Sequence, residues 1–518
     1  MIVGDQSEVV HFLSRPASFG AGVAEVRRIE THVSVVFLAG DRAFKLKRAV
    51  RFPYLDFSTL ELRRKFCDAE VRINRRTAPQ IYRRVVAVTR ERDGGLALDG
   101  HGAPVEWLVE MVRFDEDRLL DRMAQRGLLD VGLMETVADA VARFHAEAEE
   151  RPNAGGPIAI GRIIDNNARC FAECPPDTID AGKVRRLMEA TRRALGGCIV
   201  LLGERSVAGF VRHCHGDMHL RNIFLDGDRP VLFDAIEFSA GLADIDVLYD
   251  LAFLLMDLQF RDLRRPANVL LNRYLDITGD TAGLRALPLF LALRATIRSH
   301  VDAIASVRQS DRREAEALRG AARRYLDLAG TFLAPHAPRL VAVGGLSGSG
   351  KSVFARDLAP FLGGAVGARV VRSDCTRKRL AGVAPTSPLG PEAYTPERDR
   401  QTYRAVVEEV DTALAAGHSV IADAVFARPG QRREIAAVAG RRRVPFQGFW
   451  LEAPPDVMAD RIACRRGSAS DATVDVLRAQ LAYDVGQIDW TRLDASGPPD
   501  QVLAAGLASV GAATPPSL

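Results

Sequence analysis

The sequence predicts a two-part fold, an α+β domain followed by an α/β domain with a mainly parallel sheet. Three observations carry this. Pro335 and Pro338 punctuate a change from an Arg-rich helical stretch to the apolar run 340–343. Beyond them, short apolar strand segments alternate with helical patterns, as in βαβ units. Before them, the stretch up to residue 117 is strand-rich around one strong helix, and 117–332 is mostly helical around one short hairpin. The expected division is 1–334, a linker at 335–338, 339–512, and an Ala/Gly/Pro-rich tail at 513–518. Each half is expected to hold its own core.

The bulk composition fits this division. At 518 residues the chain is too long for one hydrophobic core. With 47% hydrophobic and 26% charged residues it has the balance of a globular protein rather than a disordered or membrane one. A net charge of +4, with Lys and Arg spread along the chain, argues against a dedicated nucleic-acid binder. The N-terminus is acidic and mixed, and Asp250 and Asp257 interrupt the apolar stretch 247–258, so no membrane segment and a cytosolic protein are expected. Seven scattered cysteines form neither a disulfide framework nor a paired zinc motif, and reduced thiols are expected.

In the second half, the run 340–343 leads into Gly345-Leu346-Ser347-Gly348-Ser349-Gly350-Lys351-Ser352, followed by a helical pattern over 353–362. Strand, glycine loop and helix in that order are the context of a P-loop. Its glycines let backbone N–H groups face phosphate, and the helix N-terminus adds positive potential. Gly345, Ser347, Gly348, Ser349, Gly350, Lys351 and Ser352 are therefore the expected nucleotide-binding residues, with the Ser352 hydroxyl on Mg²⁺. The next strand, 369–372, ends in Ser373-Asp374-Cys375-Thr376-Arg377, and the strand 419–422 ends in Asp423. Carboxyl ends of neighbouring parallel strands face one crevice, which would set Asp374 and Asp423 beside the phosphates, Asp423 holding Mg²⁺ through water. Arg461 and Arg465 then precede a polar stretch, 467–472, that reads as a lid. This order is similar to that of small P-loop kinases related to polynucleotide and gluconate kinases, over about 339–506. The resemblance implies Asp374 as base, Arg377 as acceptor-side cation and Arg465 as lid cation.

In the first half, His215-Gly216-Asp217-Met218-His219-Leu220-Arg221-Asn222 is followed by apolar 223–225, a turn, and Val231-Leu232-Phe233-Asp234. Asp217 and Asn222 have the separation found in a kinase catalytic loop, and Asp234 falls where a metal-binding Asp stands after it. H-G-D-x-H-x-x-N resembles the catalytic loop of the aminoglycoside phosphotransferase, choline kinase and fructosamine kinase group, over about 29–333. The resemblance implies a bilobal, protein-kinase-like domain with Asp217 as base and Asn222 and Asp234 holding Mg²⁺. Upstream, 33–38 and 43–46 form a hairpin through Gly40-Asp41, and Ala43-Phe44-Lys45 resembles the end of the kinase V-A-I-K strand, which makes Lys45 the expected nucleotide lysine; Lys47, on the same strand face, is the reserve candidate. On the helix 59–76 the apolar stripe Leu62, Phe66, Ala69, Ile73 leaves Glu70 at the edge of the buried face, the expected partner of that lysine.

Three departures narrow the reading. No G-x-G-x-x-G precedes the lysine strand, and Asp234 is followed by Ala235-Ile236-Glu237 instead of Phe-Gly, which leaves Glu237 as either a second metal ligand or a solvent-facing acid. Only fifteen residues separate Asp234 from Asp250, too few for a peptide-docking segment, so a small-molecule acceptor is favoured. The expectation is two ATP- and Mg²⁺-dependent phosphotransferase sites, each acting on a small-molecule hydroxyl. Two other readings are a nucleotide-gated regulatory ATPase with one silent domain and a polynucleotide 5′-end kinase, the latter suggested by the run Arg377-Lys378-Arg379.

Overall fold

The structure, a computed structural model, describes residues 3–52, 55–152, 154–464 and 469–511. They form two compact units: Met1–Leu129 with Phe144–Gly156 and Glu204–Leu254, and Asp130–Arg143 with Pro157–Gly203 and Leu255–Leu518.

The first unit is built on a six-stranded antiparallel sheet. Its strands are β1 (Val26–Glu30), β2 (Ser34–Ala39), β3 (Arg42–Lys47), β4 (Tyr82–Arg90), β5 (Leu96–Leu98) and β6 (Ala103–Val112), in the order β1-β2-β3-β6-β4-β5. Period-2 alternation sends Phe37, Phe44, Leu46, Val88 and Leu108 into one core. The other face is covered by α1 (Leu60–Asn74), whose Cys67 and Val71 pack with Tyr82 and Val109. Thr59 starts that helix by accepting a hydrogen bond from the Leu62 N–H. The β2–β3 turn falls at Gly40, whose φ of +62° suits a residue without Cβ. Farther along, β7 (Ile223–Asp226) and β8 (Arg229–Leu232) form the expected hairpin.

The second unit joins helices from before the boundary prolines to the strand–helix alternation after them. The helices used below are α2 (Val131–Glu147, of which 131–143 lie in this unit) and α3 (Arg264–Thr278). A longer pair, α4 (Leu287–Arg308) and α5 (Arg312–Phe332), packs together across a turn capped by Asp311. A fully parallel sheet follows, with strands β9 (Leu340–Gly344), β10 (Arg369–Arg372), β11 (Val420–Asp423), β12 (Phe446–Glu452) and β13 (Thr491–Asp494) in the order β10-β11-β9-β12-β13. Val341, Val343, Ile421, Phe449 and Leu451 are buried in its core, as near-continuous apolar strands of a parallel sheet require. After β9, α6 (Lys351–Leu358) is shorter than the predicted 353–362: it gives way to a 3₁₀ turn over Ala359–Phe361, where Pro360 has no N–H to continue the ladder.

Residues 335–339 carry no regular structure. Buried hydrogen bonds nevertheless cross them. Asn268 on α3 donates to the carbonyls of Val366 (2.8 Å) and Ala368 (3.0 Å). Prolines mark the change of secondary structure, whereas compactness depends on which apolar and polar surfaces find each other. No helix among the described residues is long and apolar enough to cross a membrane.

Candidate active sites

In the first unit, β3 points Lys45 and Lys47 at the same acid. Glu70 is fully buried on α1; one of its oxygens lies 2.8 Å from the Lys45 Nζ and the other 2.5 Å from the Lys47 Nζ. Burial opposes its ionisation, but the two adjacent ammonium groups outweigh it and hold the carboxyl at about 2. Lys45 also meets Asp234 at 2.5 Å, while Lys47, 2% exposed, pairs with Glu237. The sequence put Lys45 first and held Lys47 in reserve. The structure separates them by their second partners.

Glu237 does not face solvent. Its side chain is 6% exposed and paired with Lys47, and burial keeps its carboxyl above the usual range despite that pairing. The reason is the main chain: Asp234, at φ +61°, turns the chain after β8 back under β3, and Ala235 N–H is fixed by the Asn74 amide oxygen at 2.8 Å.

The loop between Cys214 and Asn222 is held from below. Both oxygens of the buried Asp250 accept backbone N–H groups, those of His215 (3.0 Å) and Gly216 (2.9 Å), and one also meets His145 at 3.2 Å. Gly216 adopts φ +81°, and a Cβ there would stand 2.8 Å from the Leu242 carbonyl, so only glycine fits this turn. His215 Nδ1 accepts the Asp217 N–H and its Nε2 faces the Phe233 carbonyl at 2.9 Å, which assigns the proton to Nε2. Burial lowers the pKa of this imidazole, keeping it neutral and structural. Asp217 and Asp234 remain open, 38% and 40% exposed. Asn222 donates through Nδ2 to the Asp217 carboxylate at 3.0 Å, leaving its amide oxygen as an acceptor. Asn222 and Asp234 flank the hairpin, and the Phe233 N–H donates to the Asn222 carbonyl at 3.0 Å.

In the second unit, the glycine loop leaves β9 with Gly345, Gly348 and Gly350 at φ +136°, +83° and +93°. A Cβ on Gly345 would meet the Leu451 carbonyl at 2.5 Å. Lys351 opens α6, and its Nζ donates to the Leu346 carbonyl at 2.8 Å, folded back over the loop. Ser347 N–H is held by the Gln480 side chain at 2.8 Å, and Ser349 is fully buried. The three neighbouring strand ends converge: the loop after β9, Asp423 at the end of β11, and Asp374 in the first turn of α7 (Ser373–Leu380) after β10. Asp423 is 4% exposed and hydrogen-bonded to Ser352; burial raises its pKa, opposed by the charges of Arg372 and Lys351. A cavity of about 970 Å³ holds Lys351, Ser352, Asp374, Arg377 and Asp423 on its lining.

Arg377 is not a loose cation. It donates to Asp399 (2.6 Å) and to the Ala393 carbonyl (2.7 Å) and lies over the Tyr394 ring. Lys378 is 1% exposed on Asp471, and Arg379 pairs with Glu409. Asp471, in the stretch expected to be a lid, also accepts from Tyr394 OH at 2.7 Å. Arg465 lies outside the described residues. Asp250, Asn74, Tyr82 and Gln480 had no signal in the sequence as site residues, since each acts on a partner distant in the chain.

The oxygen donors at both sites, Asn222 and Asp234 in one and Ser352 and Asp423 in the other, are the type that Mg²⁺ takes. Residues 54–287 match the model of the phosphotransferase enzyme family, and 340–484 match that of an AAA domain. An uncharacterized protein of Mycobacterium tuberculosis is 32% identical over 479 residues, which make up 90% of this chain and 92% of that protein. The chain belongs to its family. In this chain the phosphotransferase match precedes the AAA-domain match. Among solved structures, a choline/ethanolamine kinase family protein from Mesorhizobium loti is similar over 62% of this chain and 98% of its own, at 15% identity and a TM-score of 0.39. A sugar kinase from a Janibacter species is similar over 34% of this chain and 96% of its own, at 26% identity and a TM-score of 0.26.

Proposed function

We propose that this family member is a bifunctional ATP-dependent phosphotransferase, each site moving the ATP γ-phosphoryl group to a hydroxyl of a small molecule. The observation that carries the reading is that both sites pair an open carboxylate for the acceptor with a separate set of phosphate- and metal-binding groups. At the first, Asp217 takes the acceptor proton, Lys45 neutralises phosphate, and Asn222 and Asp234 hold Mg²⁺. At the second, Asp374 takes the acceptor proton, the 345–351 loop and Lys351 bind the phosphates, and Ser352 and Asp423 hold Mg²⁺. When bound, Mg²⁺ supplies charge neutralisation on the transferred group at each site. Lys351 must leave the Leu346 carbonyl to reach phosphate. Arg377, fixed by Asp399, shapes the acceptor side more than it follows developing charge.

A small molecule is favoured over a polynucleotide end because the basic run at 377–379 makes no solvent-facing patch: each of its three cations is committed to an acid. The test is ADP release by two forms of the full chain, one carrying Lys351→Ala and one Asp217→Asn, against sugars, sugar acids, aminoglycosides, nucleosides and short oligonucleotides. Acceptor-dependent release in each form is expected, from different compounds. A chain that binds nucleotide at both sites yet transfers to nothing would support a regulatory ATPase instead.

A further inference from the structure

The cavity at the P-loop extends beyond the family's P-loop segment. Besides the residues after the boundary prolines, it is lined by Val131 and Glu135 of α2 and by Asn268, Asn272 and Arg273 of α3. These helices are not incidental neighbours. Strand β10 pairs within its sheet only with β11 among the described residues, so its other edge would present unpaired backbone groups. Asn272 closes that edge as a neighbouring strand would: its Oδ1 accepts the Val370 N–H at 2.7 Å and its Nδ2 donates to the Ala368 carbonyl at 3.1 Å. One turn on, Asp276 meets the buried guanidinium of Arg369 at 2.7 Å, and Glu409 meets the same nitrogen, also at 2.7 Å. Arg273 in turn grips Asp139 of α2 with two bonds, 2.6 and 2.9 Å. The result is a braced wall, α2 on α3 on β10, and β10 leads directly to Asp374.

On that wall Glu135 makes no hydrogen bond among the described residues, although it is part-buried and lines the cavity. Its charge is balanced by the nearby Arg273 guanidinium, yet without a hydrogen bond its oxygens can still accept, and facing a cleft that also holds Asp374 they suit the hydroxyl groups of a polyhydroxylated molecule, each of which can donate to it. We infer that the acceptor of the P-loop site is a polyhydroxylated small molecule bound against α2 and α3, with Glu135 as a specificity residue, so that the P-loop half is a kinase only within the fused chain. This rests on the transferase reading of the P-loop given above.

The experiment uses the full chain carrying Asp217→Asn, so that ADP release reports the P-loop site, with a panel of polyols, sugars, sugar acids and nucleosides as probes. For a compound that raises ADP release, Glu135→Ala is expected to raise its KM about tenfold or more, the weight of a hydrogen bond to a charged group, with the KM for ATP unchanged. Val131→Trp, which fills the cleft from a part-exposed position, should do the same, and Glu135→Gln should recover part of the loss. An unchanged acceptor KM in both Glu135→Ala and Val131→Trp would overturn the inference. If Lys351→Ala leaves ADP release intact, or no compound raises it, the transferase reading falls and takes this wall assignment with it.

Discussion

Lys47 reaches the same Glu70 carboxylate that Lys45 holds, from two positions along one strand, and differs from it in its second partner, Glu237 rather than Asp234, and in its deeper burial. One lysine thus looks toward the open end of the site and the other closes its floor.

Replacing the two lysines by Met should therefore give opposite signatures. Lys47→Met leaves Glu237 buried without its cation, and a broken buried pair of this kind costs about 3 to 5 kcal/mol. A large fall in the unfolding temperature of the full chain is expected. Lys45→Met should leave stability closer to wild type and weaken Mg²⁺–AMP-PNP binding, measured by calorimetry in the Lys351→Ala background. Equal losses of stability in the two variants would contradict this separation.

Asp217 and Asp234 are equally open but differently supported, Asp217 by Asn222 and Asp234 by Lys45. Asp217→Asn should lower transfer by about 100-fold or more, the usual weight of a general base, with nucleotide affinity retained. Asp234→Asn should weaken metal–nucleotide binding itself. Calorimetry on chains that also carry Lys351→Ala distinguishes the two; similar affinity losses would mean that the base is misassigned.

Lys351→Ala should reduce turnover at the P-loop site by about 100-fold or more, the scale on which removing one preorganised charge acts. Measured in the Asp217→Asn chain, unchanged ADP release would refute the assignment of this loop to phosphate.

Glu409 offers a pH test of the wall behind β10. Burial works against its charge, but Arg369 and Arg379 hold its carboxyl at about 2, below the ordinary 4.5. A depressed folded pKa contributes stability that is present above the unfolded value and lost as pH falls through 4.5 toward 2. Integrated over that window the contribution is on the order of 3 kcal/mol. Thermal unfolding of the chain should show wild type losing its advantage over Glu409→Gln between pH 5 and 3, by the logic of linkage. A constant difference across that range would show that the carboxylate is not held by its arginines.

Much of both sites was legible because it is local. The loop from Gly345 to Ser352 and the run from His215 to Asn222 place their functional groups by short-range geometry, so spacing alone brings them together. The pairing of Glu70 with a lysine of β3 was also visible, since helix and strand periodicities say which faces are buried. Glu237 was not, because nothing near it in the chain signals that Lys47 will reach it.

What the sequence determined by itself is the pair of phosphate- and metal-binding motifs, the strand and helix that carry each, and the change of secondary structure at Pro335 and Pro338. What only the tertiary structure decided is which groups brace them: Asp250 under the catalytic loop, Asp471 across to Tyr394, and Asn272 along the edge of β10. The physical reason is that a motif is written in bonds between near neighbours in the chain. A brace satisfies buried polar groups from far away in it, and no periodicity records which distant side chain will do so.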